Sequence, residues 1–299
     1  MPELPDIVVY VERVAAKVVG RELRRVRVAS PFLIRTVAPP LAEAEGKTVR
    51  EVRRLGKRVV LGVDGGLFLA IHLMIAGRLR WRDPGVPVPK KVGLAAFDFP
   101  DGTLLLTEAS PKKRASLHVV RGEDDLAALG RGGVEVLEAD LDGFLTALMR
   151  ENHTLKRALT DPSLFSGIGN AYSDEILHRA RLSPLALTQR LNPTEVGRLY
   201  HAARATLSEW VDRLRRETGD GFPEKVTAFR EGMAVHGRYG QPCTECGAPV
   251  QRIVYAENEA NYCAQCQTGG MLLADRALSR LLKGDWPRTL EEFEDRRRR

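Results

Sequence analysis

All four cysteines of the chain fall between positions 243 and 266, as Cys243-x2-Cys246 and Cys263-x2-Cys266 with sixteen residues between the pairs. Two such pairs, each presented from a tight turn, can surround one Zn2+ with four thiolates in a tetrahedron. Four protein ligands close the coordination sphere, so one structural Zn2+ is expected, not a catalytic one. The alternatives are disulfides or four unrelated buried thiols. A reducing compartment disfavours the first. Zinc ribbons of this spacing also occur in proteins that never touch DNA, so the module specifies a metal and leaves function open.

The balance of charge is basic, with 46 Lys plus Arg against 39 Asp plus Glu in 299 residues. That excess favours a polyanionic partner, nucleic acid or an anionic membrane surface, though a solvated basic surface would read the same way. No segment reaches the roughly 18 apolar residues that span a bilayer. Met1-Pro2-Glu3-Leu4-Pro5-Asp6 carries two early acids and no basic stretch, unlike a secretory leader, so an intracellular protein is expected.

Residues 7 to 19 have helical periodicity, with Ile7, Val11, Val14 and Val18 on one face and Gly20 as a stop. From about 22 to 120 short apolar runs alternate with turn residues. Val59-Val60-Leu61, Leu67 to Ile71 and Leu104-Leu105-Leu106 are such runs, and Asp64-Gly65-Gly66 is such a turn. This predicts a β-sandwich with the first helix beside it. Residues 121–134 read as a linker. The pattern is then helical to about 217, with a helix start at Asn192-Pro193-Thr194-Glu195. Residues 218 to 242 are rich in glycine and loop-like. The expected domains are 1–120, 135–235, a zinc finger at 236–270, and a basic tail at 271–299 ending in four arginines.

Two further segments carry chemistry. Ser166-Gly167-Ile168-Gly169-Asn170 precedes a helical run, with Asn170 expected as the N-cap. Glycines ahead of a helix start expose backbone N–H groups that can receive a phosphate, with the helix dipole adding favourable field. An ordinary glycine-rich turn between helices would look the same. At the N-terminus, Pro2 is small enough to allow removal of Met1. The freed secondary amine would have a pKa near ~8 and attack a sugar C1′ through an iminium ion. Glu3 beside it could move the proton. Standing alone, Pro2 would simply begin the chain.

Taken together, Met1-Pro2-Glu3-Leu4-Pro5, the Gly-Ile-Gly-Asn turn and the terminal cysteine pairs resemble the formamidopyrimidine-DNA glycosylase and endonuclease VIII family. Arg54-Leu55-Gly56-Lys57, His72-Leu73 with Gly77, and Val235-His236-Gly237-Arg238 match in the same order, from residue 2 to about 267. The resemblance implies an α+β fold: an N-terminal β-sandwich flanked by helices, then a helical helix–two-turn–helix domain with a zinc-ribbon finger. It implies excision of damaged bases from double-stranded DNA and cleavage of the abasic site, with DNA between the two domains and the damaged nucleotide flipped out. Pro2 would be the Schiff-base nucleophile, Glu3 the acid and base at the deoxyribose ring oxygen, and Lys57 a phosphate contact that assists elimination. Asn170 and Gly169 would bind phosphate, with Lys156 a further basic position ahead of that turn. A monomer in the bacterial cytoplasm, associated with the nucleoid and with no membrane partner, is the matching expectation.

The departures are specific. Where the family's finger carries an Arg five residues before the third Cys, this chain has Asn258, which is neutral and short. That puts the final elimination step in question. Ile75 stands at the place of a wedge Met. Ser110-Pro111-Lys112-Lys113-Arg114-Ala115 replaces a loop ending in an aromatic residue, so Lys112, Lys113 and Arg114 keep basic charge without the aromatic wedge. Two competing readings follow: a lyase with little base excision, and a DNA-binding protein without catalysis. Retention of Pro2, Glu3 and Lys57 argues against the second. The altered wedge leads us to expect abasic sites and oxidised pyrimidines to be cut better than 8-oxoguanine.

Overall fold

The first helix, α1, spans Leu4–Val18 and starts three residues earlier than periodicity alone suggests. Its start is set by polar chemistry. The Glu3 backbone N–H donates to the Asp6 carboxylate at 2.9 Å, and the Glu3 side chain accepts the Asp6 N–H, a reciprocal capping box. Pro5 sits in the first turn, where a missing N–H costs nothing. Ile7, Tyr10, Val14 and Val18 are fully buried along one face.

This computed structural model describes residues 1–255, 258–273, 287–292 and 295. The chain forms two units, Met1–Arg131 with Glu209–Ala228, and Gly132–Ser208 with Phe229–Arg299. Most of the expected tail at 271–299, and Glu257, lie outside the described residues.

The first unit holds strands β1 (Glu22–Leu23), β2 (Arg25–Val28), β3 (Lys47–Leu55), β4 (Arg58–Val63), β5 (Leu67–His72), β6 (Gly77–Arg82), β7 (Gly93–Phe99), β8 (Gly102–Glu108) and β9 (Ser116–Arg121). They form two antiparallel sheets, ordered β1-β3-β4-β5-β9 and β2-β7-β8-β6. Inward residues such as Leu61, Leu69, Phe97 and Leu104 pack with the buried face of α1. Both faces of β5 are covered, which explains its unbroken apolar run. Residues 121–134, expected as a linker, include helix α2 (Gly122–Ala128). Its Leu126 packs on the outer sheet face against Val60, Phe68, Ala70 and Val120. One apolar residue among acids leaves little periodicity to read.

The second unit holds α3 (Leu141–Met149), α4 (Leu155–Thr160), α5 (Asn170–Ala180) and the first part of α6 (Pro193–Thr218), whose last turns belong to the first unit. The expected start of α6 is present: Asn192 and Glu195 exchange N–H to side-chain bonds, each 2.9 Å. Phe144 packs on Phe165 at 4.7 Å and edge-on to Tyr200 at 5.5 Å. The finger is a hairpin of β10 (Val250–Tyr255) and β11 (Asn258–Cys263) followed by α7 (Ala264–Thr268). Among the described residues no helix is long and apolar enough to cross a membrane.

Candidate functional site

In the first unit, chemistry gathers at the start of α1. Pro2 and Glu3 are buried, Glu3 to 3% exposure. The α-amino group of Met1 is held below its usual value, first by burial. Around it the carboxylates of Glu3 and Asp6 pull upward, while Arg78 and Lys57 push down. An amine there loses its proton more easily than in water, which favours the nucleophilic form.

Lys57 reaches this place from a hairpin. Leu55 pairs with Arg58, so β3 and β4 are joined by Gly56-Lys57 alone. Gly56 takes φ 60, the left-handed value that the first position of such a turn requires. Burial lowers the Lys57 pKa and Glu3 opposes that shift. Glu3 thus acts on Lys57, both act on the amine, and Pro2, Glu3 and Lys57 share one locality.

Positive charge continues from Lys57 into Arg58 at the start of β4. Arg58 lies across from His72 in the sheet. The Arg58 pKa is depressed by burial and by Arg131, and its Nε has no hydrogen-bond partner among the described residues. His72 is pushed down to about 4 by burial, Arg58, Lys57 and His118. Neutral His72 accepts the Met74 N–H at 3.0 Å through Nδ1, which leaves Nε2 as the donor.

Gly77 of β6 pairs with Glu108 of β8, so the loops beyond these residues leave the sheet at one edge. Ile75, 57% exposed, stands in the first loop. Lys112 and Arg114 are exposed in the second. Lys113, expected with them as a basic position for DNA, donates from its ammonium to the carbonyls of Glu108 and Lys91. The buried Glu108 carboxylate accepts the N–H groups of Arg114 and Ala115, both at 3.0 Å, and so shapes the loop.

In the second unit, Gly167 takes φ 81 and Gly169, in extended backbone, is the N-cap of α5. Asn170 is therefore the first helical residue, one position inside the expected cap, and is half-buried. Lys156, expected as a basic position for DNA, is 8% exposed. Its ammonium is 2.5 Å from Asp174 and 2.7 Å from the Asn170 carbonyl. It braces the turn from inside.

Cys243, Cys246, Cys263 and Cys266 converge as expected, with all four Sγ atoms within 4.8 Å of one another. Cys243 and Cys266 are 4.0 Å apart, Cys246 and Cys263 3.4 Å. Tetrahedral Zn–S bonds of about 2.3 Å require edges of roughly 3.8 Å. The four thiols fit one zinc ion. Asn258 opens β11, opposite Tyr255.

His72 and the Val235 to Arg238 run served in the sequence only as landmarks, and Arg78, Glu108 and Glu175 were missed. Glu175 accepts the N–H groups of Ala234, Val235 and His236 at 2.7 to 2.9 Å, fixing the chain just ahead of the finger. Nothing in their local spacing marks these acids.

Three family models match the chain. A formamidopyrimidine-DNA glycosylase N-terminal domain covers residues 1–114, the H2TH domain of the same enzyme 133–219, and a zinc finger found in FPG and IleRS 240–269. Among similar proteins, the formamidopyrimidine-DNA glycosylase of Thermus thermophilus is 36% identical over 282 residues, covering 90% of this chain and all of that protein. That of Pelotomaculum thermopropionicum is 32% identical over 279 residues, covering 89% and 99%. The crystal structure of a Thermus thermophilus Fpg protein superposes with a TM-score of 0.73 at 33% identity, covering 89% of this chain and 98% of that one. A Lactococcus lactis Fpg complex with DNA containing an abasic site has a TM-score of 0.78 at 23% identity, covering 89% and 99%, which is a likeness of fold.

Proposed function

This chain belongs to the formamidopyrimidine-DNA glycosylase family, and from that premise we propose how its residues excise oxidised bases from double-stranded DNA and cut the abasic site that remains. It is a base-excision DNA glycosylase with one structural zinc ion. Removal of Met1 exposes the Pro2 amine. Its lone pair forms a bond to C1′ as the bond to the damaged base breaks, and the base leaves with the proton that the Pro2 nitrogen gives up. Glu3 protonates the ring oxygen, the sugar opens, and an iminium ion joins Pro2 to C1′. The Glu3 carboxylate then takes a C2′ proton, and the electron pair left behind forms the C2′–C3′ double bond as the bond to the 3′ phosphate breaks, with Lys57 beside it to offset the charge.

The observation that carries this reading is the gathering of Pro2, Glu3 and Lys57 at the start of α1, where Glu3 acts electrostatically on Lys57 and both act on the buried α-amino group, in this chain that of Met1. A solvated N-terminus would keep its proton near neutral pH. The cationic start of β4, with Lys57 and Arg58, supports a polyanionic substrate, as do the backbone N–H groups of the turn before α5. Asn170 and Gly169 grip phosphate there, while Lys156 acts through the turn it braces. Ile75, Lys112 and Arg114 occupy the space vacated by the flipped base. The place of action is chromosomal DNA in the bacterial cytoplasm.

Borohydride trapping on DNA with an abasic site tests the covalent step, because only an imine is reduced to a stable crosslink. Wild-type protein lacking Met1 should crosslink. Pro2→Gly keeps a free amine and should retain part of the yield, while Glu3→Gln should lose base release. Intact mass showing an active enzyme that still carries Met1 would overturn the assignment, because the Pro2 nitrogen is then a tertiary amide without a free lone pair.

A further inference from the structure

His178 lies in the last turn of α5, and its Nε2 is 3.2 Å from Sγ of Cys243. Both side chains are buried, at 5% and 4% exposure. Nothing in the excision chemistry uses His178, and it comes from a helix 65 residues ahead of the cysteine it meets. The Cys243 sulfur also receives the Glu245 N–H at 3.4 Å, from within the finger's own turn. A zinc-bound cysteine is a thiolate, with lone pairs and no proton. A ring nitrogen at this distance can meet such a sulfur only as a donor. The contact therefore defines the tautomer, with hydrogen on Nε2.

We propose that His178 is a positioning residue of the zinc centre, donating its Nε2–H to the Cys243 thiolate and tying the metal to helix α5. The bond draws charge from the sulfur and holds its rotamer, so zinc leaves more slowly. It also joins the metal to the helix whose first residue is Asn170, through one rigid element. Two further polar bonds among the described residues hold the finger in place: Gln267 donates to the Leu182 carbonyl just past α5 at 2.8 Å, and the Gly237 N–H donates to Asn261 at 2.7 Å. Gln267 also accepts the Cys263 N–H at 2.8 Å, but of these side chains His178 alone meets a ligand sulfur.

The test replaces zinc with Co2+ in the full chain and compares wild type with His178→Phe and His178→Gln. A sulfur relieved of its donor gives up electrons more easily. The sulfur-to-cobalt charge-transfer band should therefore move to longer wavelength in His178→Phe and return part of the way in His178→Gln, which keeps an N–H. Zinc release to a chelator should be roughly 10- to 100-fold faster in His178→Phe, the usual cost of losing a partner of a metal ligand. A purely packing role would neither speed release nor shift the band. An unchanged band in His178→Phe, with its tetrahedral ligand-field bands intact, would overturn the proposal. Should His178→Phe fail to fold, the ring nitrogen resonances of zinc-loaded wild type decide: a proton on Nε2 supports the bond, and a bare Nε2 refutes it.

Discussion

Lys156 and Asp174 form a buried ion pair, with Nζ 2.5 Å from Oδ1. The same carboxylate meets Nδ1 of His236 at 2.8 Å through its other oxygen, and the same ammonium donates to the Asn170 carbonyl at 2.7 Å. The pair therefore links the turn before α5 to the segment ahead of the finger. Removing one partner of a buried pair leaves an uncompensated charge, which costs about 3 to 5 kcal/mol. Lys156→Met should destabilise the protein by about 3 kcal/mol, because His236 remains to meet Asp174. Urea unfolding measures it, and adding Asp174→Leu should recover part of the loss. Unchanged stability together with a DNA-binding salt slope shallower by about one unit would instead make Lys156 a direct phosphate contact.

Glu108 holds the loop carrying Lys112 and Arg114 through two charge-assisted bonds to its backbone. Glu108→Ala leaves the N–H groups of Arg114 and Ala115 without that acceptor, a loss of roughly 2 kcal/mol or more. Amide exchange at Arg114 and Ala115 should speed by more than tenfold, with little change in the sheets. Equal exchange in variant and wild type would show that the loop shapes itself.

His72 should make the protein sensitive to mild acid. Its pKa falls from 6.5 to about 4 on folding, with burial the largest cause, followed by Arg58, Lys57 and His118. The unfolded chain therefore binds a proton more readily between these values. The associated stability is fully present above pH 6.5 and lost as pH falls toward 4, to a limit of about 3 kcal/mol. His72→Gln, which can still accept the Met74 N–H, should flatten stability against pH across that window. Parallel curves for the two proteins would rule out His72 as the source.

The loop ends predict substrate preference. Ile75 is aliphatic and exposed, and Arg114 stands where the family usually has an aromatic ring. A guanidinium plane can stack in a vacated site, but it reads the opposite base differently from an aromatic wedge. Abasic sites and oxidised pyrimidines should be cleaved faster than 8-oxoguanine opposite cytosine. Rates on matched duplexes decide it, and fastest cleavage of 8-oxoguanine would show that the lesion is read elsewhere.

Much of the architecture was legible because its signals are local. Cysteine spacing is enough to expect the zinc ligands, since each pair is built by one tight turn. Asn192 and Glu195 announced a helix start three residues apart, and alternating apolar runs announced the strands. Helix α2 was missed because a single buried leucine among acids makes no period, and α1 began early because Glu3 and Asp6 cap it. The site divides in the same way. Gly56 beside Lys57 and the glycines before Asn170 declare their turns by composition. Whether a lysine is offered to DNA or consumed inside the fold does not follow from its neighbours in the chain. Lys156 finds Asp174, Lys113 finds the Lys91 carbonyl, and His178 finds Cys243 only when distant segments meet. Local backbone geometry is determined by adjacent residues, whereas the solvation and pairing of a charge depend on which other segments are packed around it.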